Sequence, residues 1–254
     1  MTGKVLVIFL LFLGILGTGV WIWKTKLWDG QTRFTVVSLG DVVKIKSFDP
    51  VTALGVEIIL PPSLIVSSTQ GRGEWLVSKI TRAGDEKWVI SSLTNTLGLV
   101  ILENENKMPL IDKILWKWWE KRVVWKQIDV SNLGFLVGEV TPDGKKVYRL
   151  AGAWDKYVAD SLSSVAIARL GIDISIVNTT GVAGLAASAS RLVESMGYRV
   201  TEVSSSDNKI DRCRVYSKMA IRPLMTVFDC EWMKDEGSGI KLELGEKYRK
   251  WRDG

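Results

Sequence analysis

The stretch Ile174-Ser175-Ile176-Val177-Asn178-Thr179-Thr180-Gly181-Val182-Ala183-Gly184-Leu185-Ala186 decides how this chain is read. Ile172, Ile174 and Ile176 alternate with Asp173 and Ser175, the period of two that marks a half-buried strand, and Asn178 to Gly181 supplies the turn that stops it. A helix is expected next. Val182, Leu185, Ala186, Ala189, Leu192, Val193 and Met196 fall on one helical face, and Gly197 stands where a C′ glycine ends a helix. Tyr198 to Val203 returns as a second alternating strand, which completes a βαβ unit with an expected right-handed crossover. The small residues Gly184, Ala187 and Ser188 are expected to let the helix pack closely on the sheet.

Downstream, a strand at Arg214 to Ser217, a helix from Lys218 to Phe228 and strands near Glu231 and at Ile240 to Leu244 complete a small α/β domain over residues 171–254. Cys213 and Cys230 are too far apart for a CxxC redox or zinc pair. They are either a disulfide or two buried thiols.

Upstream, residues 29–170 read as a second α/β domain. Phe34 to Ser38, Val42 to Phe48 and Val56 to Leu60 are β-rich runs separated by Gly40, Asp49-Pro50 and Pro61-Pro62. Lys44 and Lys46 alternate with Val43 and Ile45, so that strand has one wet face or lies at an edge. Glu86 to Leu97 and Leu110 to Trp125 read as helices, the second with Ile111, Leu115, Trp118, Arg122 and Trp125 on one face. Its tryptophans would suit a sugar-stacking platform or a membrane-surface helix, but a core-packing amphipathic helix is the preferred reading. Thr141-Pro142-Asp143-Gly144 marks a hairpin within Gly134 to Lys146, and Asp155 to Leu170 reads as a further helix.

Val5 to Trp23 carries no charge and is long enough to cross a hydrocarbon core of ~30 Å at ~1.5 Å per residue. With Lys4 before it and Trp21, Trp23, Lys24, Lys26 and Trp28 at or beyond its far end, residues 1–28 read as an uncleaved single-pass transmembrane helix with its flank, so the lipid bilayer is the first expected partner. No A-x-A-like site follows to suggest a cleaved signal peptide. The rest has the composition of a folded protein, with 46% hydrophobic and 24% charged residues. The net charge of +6 is dispersed among acidic residues, which does not suit a nucleic-acid partner. With no histidine in the chain, Ser-His-Asp triads and the commonest metal ligand are both excluded. No metal site is expected.

The opening stretch resembles the V-x-V-x-N-G-T-G-x-x-G-L-A start of the LytR C-terminal domain, with Thr179 in place of a glycine. Gly197-Tyr198-Arg199-Val200 and Leu244-Gly245-Glu246-Lys247-Tyr248 are similar to two later segments of that domain. The resemblance implies a cell-envelope protein with its C-terminal domains outside the cytoplasm. Asn178, Thr179, Thr180, Gly181 and Gly184 are the ligand-binding candidates, because a strand-to-helix turn presents free N–H groups to an anion. A turn with no ligand is the plainer reading.

Residues 33–165 are similar, more weakly, to the LytR-CpsA-Psr catalytic domain. Asp41-Val42-Val43-Lys44-Ile45-Lys46-Ser47-Phe48-Asp49-Pro50 is similar to its R-S-D-T-(x)4-S-x-D-P strand, and Glu57-Ile58-Ile59-Leu60-Pro61-Pro62-Ser63 to its S-I-P-R-D strand. That family implies a Mg²⁺-assisted phosphotransferase whose arginines hold a polyprenyl pyrophosphate. Here Leu39 and Pro62 stand at the two arginine positions and Ser63 at the second acid, so only Asp41 carries over. The expectation is therefore a degenerate domain that binds wall glycan, lipid-linked glycopolymer or a partner protein without catalysis and without a cofactor. The alternative is a divergent phosphotransferase using Asp41, Mg²⁺ and a relocated Arg33, Arg72 or Arg82.

Overall fold

A computed structural model describes residues 26–132, 134–237 and 239–253. The expected membrane helix at Val5 to Trp23 lies outside the described residues, and among those described no helix is long and apolar enough to cross a membrane. The elements run β1 (Phe34–Ser38), β2 (Lys44–Asp49), β3 (Leu54–Ile59), β4 (Ile65–Ser67), β5 (Glu74–Leu76), α1 (Val77–Ala83), α2 (Glu86–Leu97), β6 (Glu103–Asn104), α3 (Leu110–Glu120), β7 (Val124–Asp129), β8 (Leu136–Val140), β9 (Lys146–Leu150), α4 (Gly152–Ser161) and α5 (Val165–Ala168). They continue with β10 (Asp173–Asn178), α6 (Leu185–Ser195), β11 (Arg199–Ser205), β12 (Arg214–Ser217), α7 (Arg222–Phe228), β13 (Glu231–Lys234), β14 (Ile240–Leu244) and α8 (Glu246–Asp253). The fold is mixed α/β.

The first sheet has the order β6-β1-β2-β3-β7, with β1, β2 and β3 antiparallel and the two outer strands parallel to their neighbours. Both faces are covered. Val37, Ile45 and Ile58 pack against Leu93, Leu97 and Trp154 from the helices of one side. Phe34, Val36 and Phe48 meet Trp28 and Trp116 on the other. The Lys44–Lys46 strand is therefore central rather than at an edge. Its lysines share the second face, where Lys44 pairs with Glu57 at 3.0 Å and Lys46 with Glu120 at 3.0 Å and Glu105 at 3.4 Å.

Two expected helices are broken. The run from Leu110 to Trp125 is helical only to Glu120, because the chain turns at the β-branched Val123 and from Val124 pairs with β3 as strand β7. Its buried face is Asp112 and Trp116, whereas Trp118 on the expected face is exposed. Asp155 to Leu170 splits into α4 and α5 around a buried polar junction. There Arg33 donates to the carbonyls of Ser163 at 3.0 Å and Ser161 at 3.4 Å, and Asp49 Oδ2 accepts from the Val165 N–H at 2.8 Å.

The second sheet, of order β11-β10-β14-β12-β13, contains the expected βαβ unit: β10 and β11 are parallel and α6 packs on both. α6 starts at Leu185, later than expected, because Gly184 takes a left-handed conformation with φ 78°. α7 starts at Arg222 with Pro223 in its first turn, where a missing N–H costs nothing. α8, which was not expected, closes the described residues.

β12, α7 and β13 form a second parallel unit, and Cys213 and Cys230 stand immediately before its two strands. They are joined as a disulfide with Cα atoms 4.3 Å apart. Replacing both with alanine is expected to remove about 3 kcal/mol of stability, the loop-entropy value for a bridge of this span. Urea unfolding of the two proteins measures it. Two free thiols in protein purified without reductant would contradict the bond.

Candidate functional site

The polar side chains of the β10–α6 turn are occupied within the turn itself. Asn178 Nδ2 donates to the Val182 carbonyl at 2.8 Å, and Asn178 Oδ1 accepts from Thr180 N at 3.0 Å and Thr180 Oγ1 at 2.7 Å. Thr179 Oγ1 donates to the Leu244 carbonyl at 2.7 Å, which locks the turn to β14. Asn178 and Thr179 are buried. Gly181, with φ 74°, supplies a backbone conformation that L-residues rarely adopt. Of the five candidates, Gly184 lines a cleft.

That cleft, of about 450 Å³, lies between the two halves of the chain and is lined by helices and the small hairpins. One wall is the outward face of α6, with Gly184, Ala187, Ser188 and Arg191; facing it are Asn95 and Thr96 at the end of α2, Arg149 on β9, Asp155 on α4, and Arg252 on α8. The small residues of α6 thus face the cleft and not the sheet, which Leu185, Ala186 and Ala189 contact instead.

The charge in the cleft is largely paired. Arg191 meets Asp155 at 2.6 Å. Arg149 forms a bidentate pair with Glu74 at 2.6 and 2.7 Å and also reaches Glu139 at 3.0 Å. These hydrogen bonds hold the Arg149 guanidinium above its ordinary pKa and the Glu74 carboxyl below its own. The rest of the lining is a mixture of hydroxyl, amide and guanidinium groups: Ser188 Oγ donates to Asn95 Oδ1 at 3.4 Å, Thr96 Oγ1 donates to the Ser67 carbonyl at 3.2 Å, and Nε of Arg191 and Nη1 of Arg252 are buried without a hydrogen-bond partner.

Asp41 lies elsewhere, in the β1–β2 loop, and its side chain is 99% exposed. Of the three arginines considered as replacements, Arg82 comes within 3.5 Å of it, also in solvent. Arg33 is tied to the α4–α5 junction, and burial, opposed by nearby Asp49, holds its pKa below the ordinary value. Arg72 lies over the Trp88 ring at 4.9 Å. Leu39 packs against the hydrophobic core. Among the described residues there is no cluster of acids, histidines or cysteines able to hold a metal ion.

The cleft residues Asn95, Asp155, Arg191 and Arg252 were not singled out from sequence. The available signal was the pair of small residues Ala187 and Ser188 opposite the apolar stripe of α6. A smaller cavity of about 170 Å³ between α5, α7 and the segment at Trp28 is lined largely by apolar side chains.

A family model described as LytR cell envelope-related transcriptional attenuator matches residues 171–228. The match covers β10 to α7, so this part of the chain carries that domain, while Leu244 to Tyr248 falls beyond it. No curated protein matches the chain. Among solved structures, a transcriptional regulator from Enterococcus faecalis is similar at 14% identity over 51% of this chain and 49% of that one, with a TM-score of 0.23. The chain thus spans about half the length of the solved protein it matches.

Tyr248, buried near the cleft, stacks on Trp251 with ring centroids 5.4 Å apart. Burial pushes its phenol up to about 12, against a smaller downward pull from Ser188 and Arg252. An unfolded tyrosine ionises near pH ~10, so the folded state keeps a proton that the unfolded state releases. The stability this contributes is fully present below pH ~10 and falls as pH rises towards 12. In urea unfolding between pH 9 and 11, Tyr248→Phe is expected to flatten that decline by one proton.

Proposed function

We propose that this chain is a membrane-tethered, non-catalytic protein of the cell envelope that holds a saccharide segment, from wall glycan or from a lipid-linked glycopolymer, in the cleft between α2, α4 and α6. The observation that carries the reading is the cleft's chemistry: donors and acceptors of mixed kind, with Arg191 paired to Asp155, Arg149 to Glu74 and Glu139, and Arg252 set against Asp253 at 3.6 Å. Sugar hydroxyls donate and accept together and match such a lining. A pyrophosphate would need uncompensated, bidentate cations.

The cell-envelope placement is supported by the family description of residues 171–228 and by the disulfide, a bond that persists in oxidising compartments. The tether is the apolar stretch at residues 5–23. Catalysis is disfavoured because Leu39, Pro62 and Ser63 replace the residues that would carry charge, and electrostatic stabilisation is usually the largest catalytic contribution. The second reading, a divergent phosphotransferase, is favoured by one observation, the approach of Arg82 to Asp41. An exposed pair of this kind is worth about 0–1 kcal/mol, and one carboxylate is a poor Mg²⁺ site.

Ala187 is exposed on the cleft wall, so Ala187→Trp should fill the cleft without disturbing the core. Sedimentation with insoluble wall glycan is expected to retain the wild type and to lose about tenfold in affinity with Ala187→Trp, about 1.4 kcal/mol. A transfer assay with polyprenyl-pyrophosphate-linked glycan should show no turnover with or without Mg²⁺. Turnover that Mg²⁺ supports and Asp41→Ala abolishes would establish the enzyme instead.

A further inference from the structure

Helix α3 has two unlike sides. At about 100° per residue, Asp112, Trp116 and Trp119 point to the first sheet, and Leu110, Ile114 and Trp118 point away from it. These three large apolar side chains, one turn apart, are 64%, 59% and 48% exposed. Lys113, Lys117 and Lys121 run beside the stripe along the same outer side, and all three are exposed. Lys117 meets Glu120 at 3.3 Å, whereas Lys113 and Lys121 have no ion-pair partner among the described residues. Arg122 lies 3.6 Å from the centre of the Trp118 ring and donates to the Trp118 carbonyl at 3.0 Å, so the indole is steadied in its exposed position. An apolar stripe flanked by a lysine row is the pattern of a helix lying in a lipid–water interface.

The position of α3 specifies the occupant. Its first turn is fastened to the point where the chain arrives from the apolar stretch: Asp112, fully buried, accepts from the Leu27 N–H at 2.7 Å and from the Trp28 N–H at 3.2 Å. Trp28 is in turn fixed against Phe34, with ring centroids 4.8 Å apart. Only three residues separate Trp23 from Leu27, a reach of roughly 10–14 Å even when fully extended. An element pinned this close to a membrane-crossing segment meets the bilayer before any other partner.

We infer that α3 lies on the surface of an anionic bilayer, with Leu110, Ile114 and Trp118 inserted at the headgroup boundary and Lys113, Lys117 and Lys121 against lipid phosphates. This rests on the reading of residues 5–23 as the anchor. Docking holds the first sheet against the membrane, and each lysine strengthens it about fivefold.

The test uses the full chain reconstituted in vesicles containing phosphatidylglycerol. Both native cysteines are bonded, so a single added cysteine accepts a nitroxide label: Ile114→Cys on α3, and Val203→Cys on exposed β11 as the control. Flotation first shows whether the chain stays with lipid. The expected result is that the label at 114 meets dissolved oxygen several-fold more, relative to a water-soluble nickel complex, than the label at 203 does. Combining Ile114→Cys with Lys113→Glu, Lys117→Glu and Lys121→Glu should return the ratio to that of the control. A chain that floats but gives equal ratios at 114 and 203, or a ratio unmoved by the lysine changes, overturns the docking and leaves the anchor standing. A chain that does not float overturns both. Spin–spin broadening at 114 that persists on dilution into excess lipid would assign the stripe to a second copy and overturn the inference.

Discussion

The carboxylate of Asp49 is the constraint on which the arrangement of the two sheets depends. One oxygen accepts from the backbone N–H groups of Val51 and Thr52 at 2.9 and 3.3 Å and shapes the β2–β3 turn. The other accepts from Val165, which starts α5 and aims the chain at the second sheet. The side chain is fully buried, so each of these bonds is made to a charge removed from water, where it is stronger than in solvent. Arg33, held by the carbonyls of Ser161 and Ser163, supplies the opposite charge nearby. Burying both is costly, and the cost is offset only while every bond is formed. The junction is therefore set in one geometry, and the cleft walls on α4 and α6 are set with it.

The same logic accounts for where the arginines went. A catalytic phosphate site needs guanidinium groups left unneutralised and converging on one point. Arg33 has been drawn into the junction, Arg72 onto the Trp88 ring, Arg149 between Glu74 and Glu139, and Arg191 onto Asp155. Their charge stabilises the fold and shapes a polar surface. It does not gather at Asp41.

Much of the second sheet was legible in the sequence because its signals are local. The alternation at Ile174 and Ile176, the turn at Asn178 to Gly181 and the stop at Gly197, whose φ is 101°, each lie within a few residues of what they specify. In the first half the strands were legible for the same reason, but the centre of the sheet was not. Lys44 and Lys46 looked like edge residues because their partners Glu57, Glu105 and Glu120 are distant in the chain. The face of α3 was misread because Trp118 and Trp125 share a helical spacing across a boundary that β7 pairing imposes. The roles of Asp49 at the junction and of Asp112 as a buried acceptor were illegible, since Val165 and Leu27, whose N–H groups they accept from, lie 116 and 85 positions away. The cleft was illegible for that reason too: its lining comes from α2, α4, β9, α6 and α8, and only the turn glycine belonged to a recognisable pattern.

Helix α8 adds a dimension of time to this arrangement. It packs Tyr248 into the second core, yet its Trp251 donates to Ser91 Oγ at 3.2 Å and its Arg252 carbonyl accepts from Gln70 N at 3.0 Å, both in the first half. A ribosome releases residues 246–253 only after every other wall of the cleft has been made. Until then the two halves meet through the junction at Asp49 and through α6, where Arg191 reaches Asp155 at 2.6 Å and Ser188 donates to Asn95 at 3.4 Å, and the recess that ends in Arg252 lacks that part of its rim. A nascent chain halted short of α8 would hold both folded halves and still leave the pocket they share open where Arg252 closes it.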